Sequence, residues 1–118
     1  MDFDELRNYC LSKSCVSESF PFDEETLVFK VSSKMFCLIN SAPPFSVNLK
    51  CDPEKAIELR EEYEEVKPGY HMSKKHWNTV DLEGSLSTEF LKGLIDDSYN
   101  LVVEKLTKKE KQVLGIDN

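Results

Sequence analysis

The chain has few of the features that mark an enzyme, a membrane protein or a secreted protein. It has four glycines and no glycine-rich phosphate loop, dinucleotide fingerprint or nucleophile elbow. No apolar run approaches the length of a membrane span, and residues 1–5 are acidic where a secretory signal is basic. These absences predict a non-enzymatic protein located in the cytoplasm, with no membrane partner.

Cysteine is present without the spacing of a zinc finger or a redox motif. No two of the four cysteines form a CxxC pair, so we expect free thiols, with two or three of them packed in the core. Imidazole and thiolate both suit zinc, but no two candidates have a zinc-finger or HExxH spacing, and we expect no metal and no cofactor. The histidines and cysteines considered are Cys10, Cys15, Cys37, Cys51, His71 and His76.

The length and composition fit one domain with one core. Of the 118 residues, 40% are hydrophobic and 31% charged, which is enough apolar material for a compact fold. We therefore expect a single domain over residues 1–118.

Apolar spacing predicts the first half of the fold. Asp2 with Glu5 is typical of a helix start, and this helix should end near Lys13. Residues 26–31 and 34–39 are rich in β-branched and aromatic side chains, which predicts two strands joined by a tight turn at Ser32-Ser33. Residues 45–50 alternate apolar and polar, which predicts a third strand before a helix that begins at Asp52-Pro53.

The second half predicts a hairpin and a long helix. Residues 70–72 and 76–82 have strand composition around a turn at 73–75, and apolar positions from about Ser87 to Leu106 have helical spacing. Residues 108–114 suggest a further helical turn. The element order α-β(3–4)-α-β(2)-α predicts an α+β fold with two layers, an antiparallel sheet backed by helices.

Acidic side chains are missing from two stretches of an acidic chain. The net charge is −7 and the pI about 4.8, but all 22 acidic residues lie outside residues 26–51 and 66–80. The two stretches carry +6, and the rest of the chain carries nine basic and 22 acidic residues, or −13. Since both stretches are predicted strands or turns, the sheet should be basic and the helices acidic. Helix propensity alone accounts for part of this segregation.

The acid-free stretches supply a candidate nucleic-acid interface. Lysines contact phosphates, amides hydrogen-bond base edges, and aromatic rings stack on unpaired bases. Alternatively, residues 73–75 are a charged hairpin tip, with Trp77 buried as the anchor of its strand. The candidate interface residues are Lys30, Lys34, Asn48, Lys50, Lys74, Lys75, His76 and Asn78.

Several segments together resemble the MmcQ/YjbR family. The resemblance runs through residues 26–31, 34–36 and 48–53, and it is most specific in Gly-Tyr-His-Met at 69–72 and His-Trp-Asn-Thr at 76–79. It covers about residues 3–106 and leaves 107–118 as a tail. The resemblance implies a CyaY-like, secretion-chaperone-like α+β fold and a DNA-binding function.

Two functions remain open on the sequence alone. The first is DNA binding, weak and dependent on salt, through the basic sheet and hairpin. The second is a protein-interaction or chaperone-like module, in which the sheet or an apolar groove holds a peptide, a partner protein or a second copy of the chain. An enzyme that uses the region of His71 and His76 is a third, weaker alternative.

Overall fold

The computed structural model describes residues 2–69 and 72–115. This part of the chain contains four helices and six strands in one sheet. In chain order the elements are α1 Phe3–Leu11, β1 Val16–Ser19, β2 Thr26–Val31, β3 Lys34–Asn40, β4 Ser46–Lys50, α2 Pro53–Glu62, β5 Val66–Pro68, β6 Trp77–Asp81, α3 Thr88–Glu104 and α4 Lys108–Leu114.

The sheet is antiparallel throughout, in the order β1-β2-β3-β4-β6-β5. One face packs against the helices, with α3 lying on β3 and β4. The core lies between these two layers and includes Phe29, Ile39 and Val47 from the strands and Leu91 and Ile95 from α3. The predicted two-layer α+β fold is confirmed.

The other face of the sheet, here called the outer face, carries a second and smaller apolar cluster. Val28, Leu38 and Trp77 are buried there, and Met35 and Met72 pack against them. Met72, which lies between β5 and β6, thus packs against the sheet. The outer face is therefore apolar at its centre, and its polar side chains lie around that centre.

A β-bulge shapes the start of β3. The pairing with β2 shifts between Phe29 and Lys30, so that Met35 lies opposite Lys30 and Cys37 lies opposite Phe29. Two consecutive residues, Phe36 and Cys37, then belong to the core between sheet and helices, which is the usual effect of a bulge.

Most predicted elements are confirmed, and the helix starts agree to the residue. The side chains of the N-cap residues accept backbone N–H groups: Asp2 from Glu5, Asp52 from Lys55, Ser87 from Phe90 and Thr107 from Glu110. Ser32 in the β2–β3 turn has φ 59°, the left-handed conformation that tight hairpin turns require.

Two strand predictions differ from the structure. The expected strand at 70–72 is wrong at Met72, which lies in no strand, while Tyr70 and His71 lie outside the described residues. The strand that precedes β6 in the chain and pairs with it is instead β5, Val66–Pro68. Val66 is buried, and Pro68 is tolerated because β5 is an edge strand, where a missing N–H costs no pairing. β1 was not predicted at all, because Val16–Ser19 is short and mostly polar.

The four thiols are free in the structure. Cys10, Cys37 and Cys51 are buried and Cys15 is exposed, as expected for mostly core cysteines. Sγ of Cys10 and Sγ of Cys37 lie 3.7 Å apart, and burial raises the pKa of the Cys37 thiol. Within residues 2–69 and 72–115, no helix is long and apolar enough to cross a membrane, and no three His, Cys, Asp or Glu side chains are grouped as metal ligands.

Candidate anion-binding site

Antiparallel pairing brings five of the six lysines of the acid-free stretches to one end of the sheet. β2, β4 and β5 finish at this end, while β3 and β6 begin there. Lys105 follows α3 and lines a cleft together with residues of this end. We call this region the basic end, and its lysines are Lys30, Lys34, Lys50, Lys74, Lys75 and Lys105. Lys67 lies farther along β5, level with Val28 and Leu38 in the middle of the sheet.

The ammonium groups of the basic end are not neutralised by the protein. Within the described part of the chain, ion pairs are made by Arg7, Lys13 and Lys55, and none of the six lysines makes a side-chain hydrogen bond or an ion pair. Lysines without protein partners remain available to an anion.

A cleft of about 350 Å³ opens at the basic end, between the sheet and the C-terminal end of α3. We call it the lysine cleft. Its volume lies at the small end of the usual range for ligand sites, roughly 300–1,000 Å³. It is lined by Ser33, Lys34, Met35, Lys50, Trp77, Val102 and Lys105.

Lys50 lies close to the positive charges of the two other lysines in the lysine cleft. Partial burial lowers the pKa of Lys50, and the positive charges of Lys105 and Lys34 lower it further. Glu110 is an ionised acid near Lys34, held by the Thr107 N–H and the Ser32 hydroxyl, so one negative charge beside the cleft offsets part of its three positive charges. The cleft nevertheless remains a site of concentrated positive charge.

Ser98 fixes the backbone of Lys50. Its hydroxyl is fully buried, accepts the Lys50 N–H at 2.8 Å and donates to the Phe36 carbonyl at 2.5 Å. One α3 side chain thus holds the end of β4 and the bulge of β3 together, and this contact fixes the floor of the lysine cleft.

Arg60 holds the segment that carries Lys74 and Lys75. Its guanidinium donates to the backbone carbonyls of Lys74 and Trp77 and to Oδ1 of Asn78, the last at 2.6 Å. The Cys51 N–H donates to the carbonyl of the next residue along this segment, His76, at 2.8 Å. Both lysines are exposed and are held next to the end of β4.

Asn78 faces the core and not the solvent. It is 3% exposed, and its amide is engaged by the Arg60 guanidinium and the Ala56 carbonyl. The expected contact with a base edge is therefore corrected to a structural role. Asn48 is on the outer face and half-buried, where its Oδ1 accepts from the Thr79 hydroxyl at 2.5 Å.

The remaining predicted residues lie around the apolar centre of the outer face or beside it. Lys30 is half-buried opposite Met35, and His76 is half-buried before β6. Trp77 is 8% exposed and packs on Val28 and Leu38, so its predicted role as a buried anchor is confirmed.

Sequence reasoning missed Lys105, Ser98 and Arg60. Lys105 lies in an acid-rich part of the chain, so composition pointed away from it. Ser98 did leave a signal, because it is a polar residue on the buried stripe of α3 between Ile95 and Val102. Arg60 left none, since its contacts are formed only in the folded chain.

The fold and the site define a class: a two-layer α+β domain with an open antiparallel sheet and unpaired lysines at one end. Residues 11–101 match the YjbR family model. The uncharacterised protein YbdF of Escherichia coli O157:H7 is 43% identical over 95 residues, which cover 79% of this chain and 77% of YbdF. YjbR of Escherichia coli strain K12 is 33% identical over 115 residues, 97% of this chain and 98% of YjbR. The chain belongs to the YjbR family, as its resemblance to MmcQ/YjbR proteins predicted.

Solved structures agree with this assignment. The crystal structure of Deinococcus radiodurans protein DR2400, domain DUF419, has a TM-score of 0.89 at 43% identity and covers 97% of this chain and 88% of its own. A crystal structure of a Pseudomonas syringae protein has a TM-score of 0.75 at 28% identity, over 86% of this chain and 98% of its own.

Proposed function

We propose that this protein is a nucleic-acid-binding domain, which acts by binding and not by catalysis, and that its basic end contacts the phosphate backbone. One observation carries the proposal. Five of the six lysines of two separate acid-free stretches lie at one end of the sheet, and none of the five makes an ion pair or a side-chain hydrogen bond within the described residues. Phosphate contacts from lysine supply most of the affinity in sequence-independent binding.

The arrangement favours contact with a strand at several points. Lys74 and Lys75 are exposed on a segment fixed by Arg60, Lys50 lies beside them at the end of β4, and Lys67 is exposed on the edge strand β5. The rest of the chain is strongly acidic, which repels a polyanion that approaches from another side. Binding should therefore be weak, oriented and sensitive to salt.

Fluorescence anisotropy of a labelled duplex and of the same single strand, from about 50 to about 200 mM salt, tests the proposal. If Lys50, Lys74 and Lys75 each neutralise one phosphate, log K against log salt on the duplex should have a slope of about −2.7. The double variant Lys74→Glu, Lys75→Glu should lose most of the affinity at low salt and keep its fold by circular dichroism.

For a matched change of charge, the single variant Lys74→Glu is compared with a control, Lys92→Glu, on α3 near Tyr9 among acidic neighbours. This control should bind as the parent protein does. An equal loss in both variants would mean attraction to net charge alone, and no binding by the parent protein at low salt would refute the proposal.

A second candidate function is a protein interaction at the opposite end of the sheet. Phe20 and Phe22, between β1 and β2, are 49% and 65% exposed, and Asp23, Glu24 and Glu25 follow them. Exposed aromatic rings beside acids suit a basic partner with an apolar contact. Phe22→Ser should abolish capture of such a partner and leave nucleic-acid binding unchanged; if capture survives, this candidate fails.

A further inference from the structure

The lysine cleft differs from the rest of the basic end because it is concave. Lys34 lines it from the start of β3, Lys50 from the end of β4 and Lys105 from the end of α3. Three elements that are far apart in the chain thus direct cations into one space. Lys74 and Lys75, in contrast, are exposed on a surface segment and do not line the cleft.

The charge of the lysine cleft selects a compact anion of high charge. No acidic residue lines it, and each of Lys34 and Lys105 is close enough to Lys50 to act on it electrostatically. Three ammonium groups around one space match a terminal phosphate, which carries about −1.5 to −2 charges near neutral pH, or a diphosphate. A backbone phosphodiester carries a single charge and matches less well.

The walls of the lysine cleft suit an organic group beside that anion. Met35, Trp77 and Val102 supply an apolar side, and Ser33 adds a hydroxyl near the lysines. Methionine and tryptophan make favourable contacts with flat rings. The sheet bulge and the buried Ser98 hydroxyl hold this wall and the Lys50 backbone in place before any ligand arrives.

We propose that the lysine cleft is a binding site for a terminal phosphate or diphosphate attached to a nucleoside, either as a free nucleotide or as the phosphorylated end of a nucleic-acid strand. The site shares Lys50 with the contacts proposed above and differs from them in its other residues. It needs Lys105, which those contacts do not use, and it does not need Lys74 or Lys75.

Trp77 is the chain's one tryptophan and lines the lysine cleft, so its fluorescence reports directly on this site. At low salt the protein is titrated with inorganic pyrophosphate, then with ADP, and then with short oligothymidines that carry a 5′-phosphate or a 5′-hydroxyl. We expect a saturable change with pyrophosphate and at least about tenfold weaker binding in Lys105→Glu, because the reversal replaces an attraction to the anion by a repulsion.

Lys92→Glu is the matched control and should titrate as the parent protein does, with both folds verified by circular dichroism. If ADP binds more tightly than either oligothymidine, the natural ligand is a free nucleotide. If the 5′-phosphorylated strand binds more tightly than both ADP and the 5′-hydroxyl strand, the natural ligand is a strand end. Non-saturable pyrophosphate titration, or equal binding by Lys105→Glu, overturns this proposal even if DNA binding along the basic end stands. Saturable binding of pyrophosphate and of ADP, without any binding of oligonucleotides or duplex, upholds it and refutes the earlier proposal.

Discussion

The two ends of the sheet carry opposite charge, although the same strands form both. Lysines gather where β2 and β4 finish, and carboxylates gather where these strands begin, beside the start of β5 and the end of β6. The acids at this second end, here called the acidic end, are Asp23, Glu24, Glu25, Glu65, Asp81 and Glu83.

The charged groups at the two ends differ in their partners. At the acidic end, Asp23 accepts the N–H groups of Glu25 and Thr26, and Glu65 accepts the N–H and hydroxyl of Ser85. At the basic end, the lysine ammonium groups have no such partner within the described residues. Carboxylates at the acidic end therefore stabilise turns, whereas the lysines at the basic end remain available to bind an anion.

Aromatic residues should show the largest contrast between the ends. Trp77→Ala removes a ring buried against Val28 and Leu38, and we expect it to lower the free energy of unfolding by about 3–5 kcal/mol. Phe22→Ala removes an exposed ring at the acidic end and should change stability by less than about 0.5 kcal/mol. Urea unfolding measures both. Similar losses would mean that Phe22 is packed, or that Trp77 is not.

Ser98→Ala should have the next largest effect. It leaves the Lys50 N–H and the Phe36 carbonyl without their buried partner, which should cost about 1–3 kcal/mol. Hydrogen exchange of the Lys50 amide should accelerate more than that of amides at the acidic end. Ser19→Ala, an exposed serine on β1, is the control. Unchanged exchange at Lys50 would contradict the positioning role of Ser98.

Removal of single charges should have opposite effects at the two ends. Asp23→Ala loses two backbone hydrogen bonds and should lower the thermal midpoint. Lys105→Ala loses no partner and relieves repulsion with Lys50, so the midpoint should stay the same or rise at low salt. A fall in both variants would show that Lys105 also supports the fold.

The smallest predicted effect is a dependence on pH at the acidic end. Backbone hydrogen bonds from Thr26 and Glu25 lower the pKa of Asp23. A lowered pKa in the folded state stabilises the fold above the ordinary range for Asp, and this stabilisation is lost as the pH falls through the folded pKa. The difference in thermal midpoint between the parent protein and Asp23→Ala should therefore shrink on acidification. A constant difference would exclude this linkage.

The sequence predicted the elements better than it predicted the site. Alternating apolar positions and clear N-caps located β2, β4 and the starts of the longer helices, because these are local signals. The strand at Val66–Pro68 gave no such signal, since an edge strand of three residues depends on its neighbour β6 for pairing.

The candidate site was predicted in part, for a related reason. The absence of acidic residues from residues 26–51 identified Lys34 and Lys50 as candidate interface residues. Only the strand pairing shows that both lie at the same end of the sheet. Lys105 lies beside Lys34 and Lys50 because α3 packs on the sheet. Asn78 is buried on the helix side of the sheet, where Arg60 donates a hydrogen bond to it. Contacts between distant elements decide these placements, and no local pattern encodes them.

Chemical shifts measured during a titration of the labelled protein with inorganic pyrophosphate test the central claim most directly. We predict saturable shifts at the amides of Ser33, Lys34, Lys50 and Lys105 and at the indole N–H of Trp77, with none around Asp23. Shifts spread evenly over both ends of the sheet, or concentrated near the acidic end, would contradict the claim that the basic end is an anion-binding site.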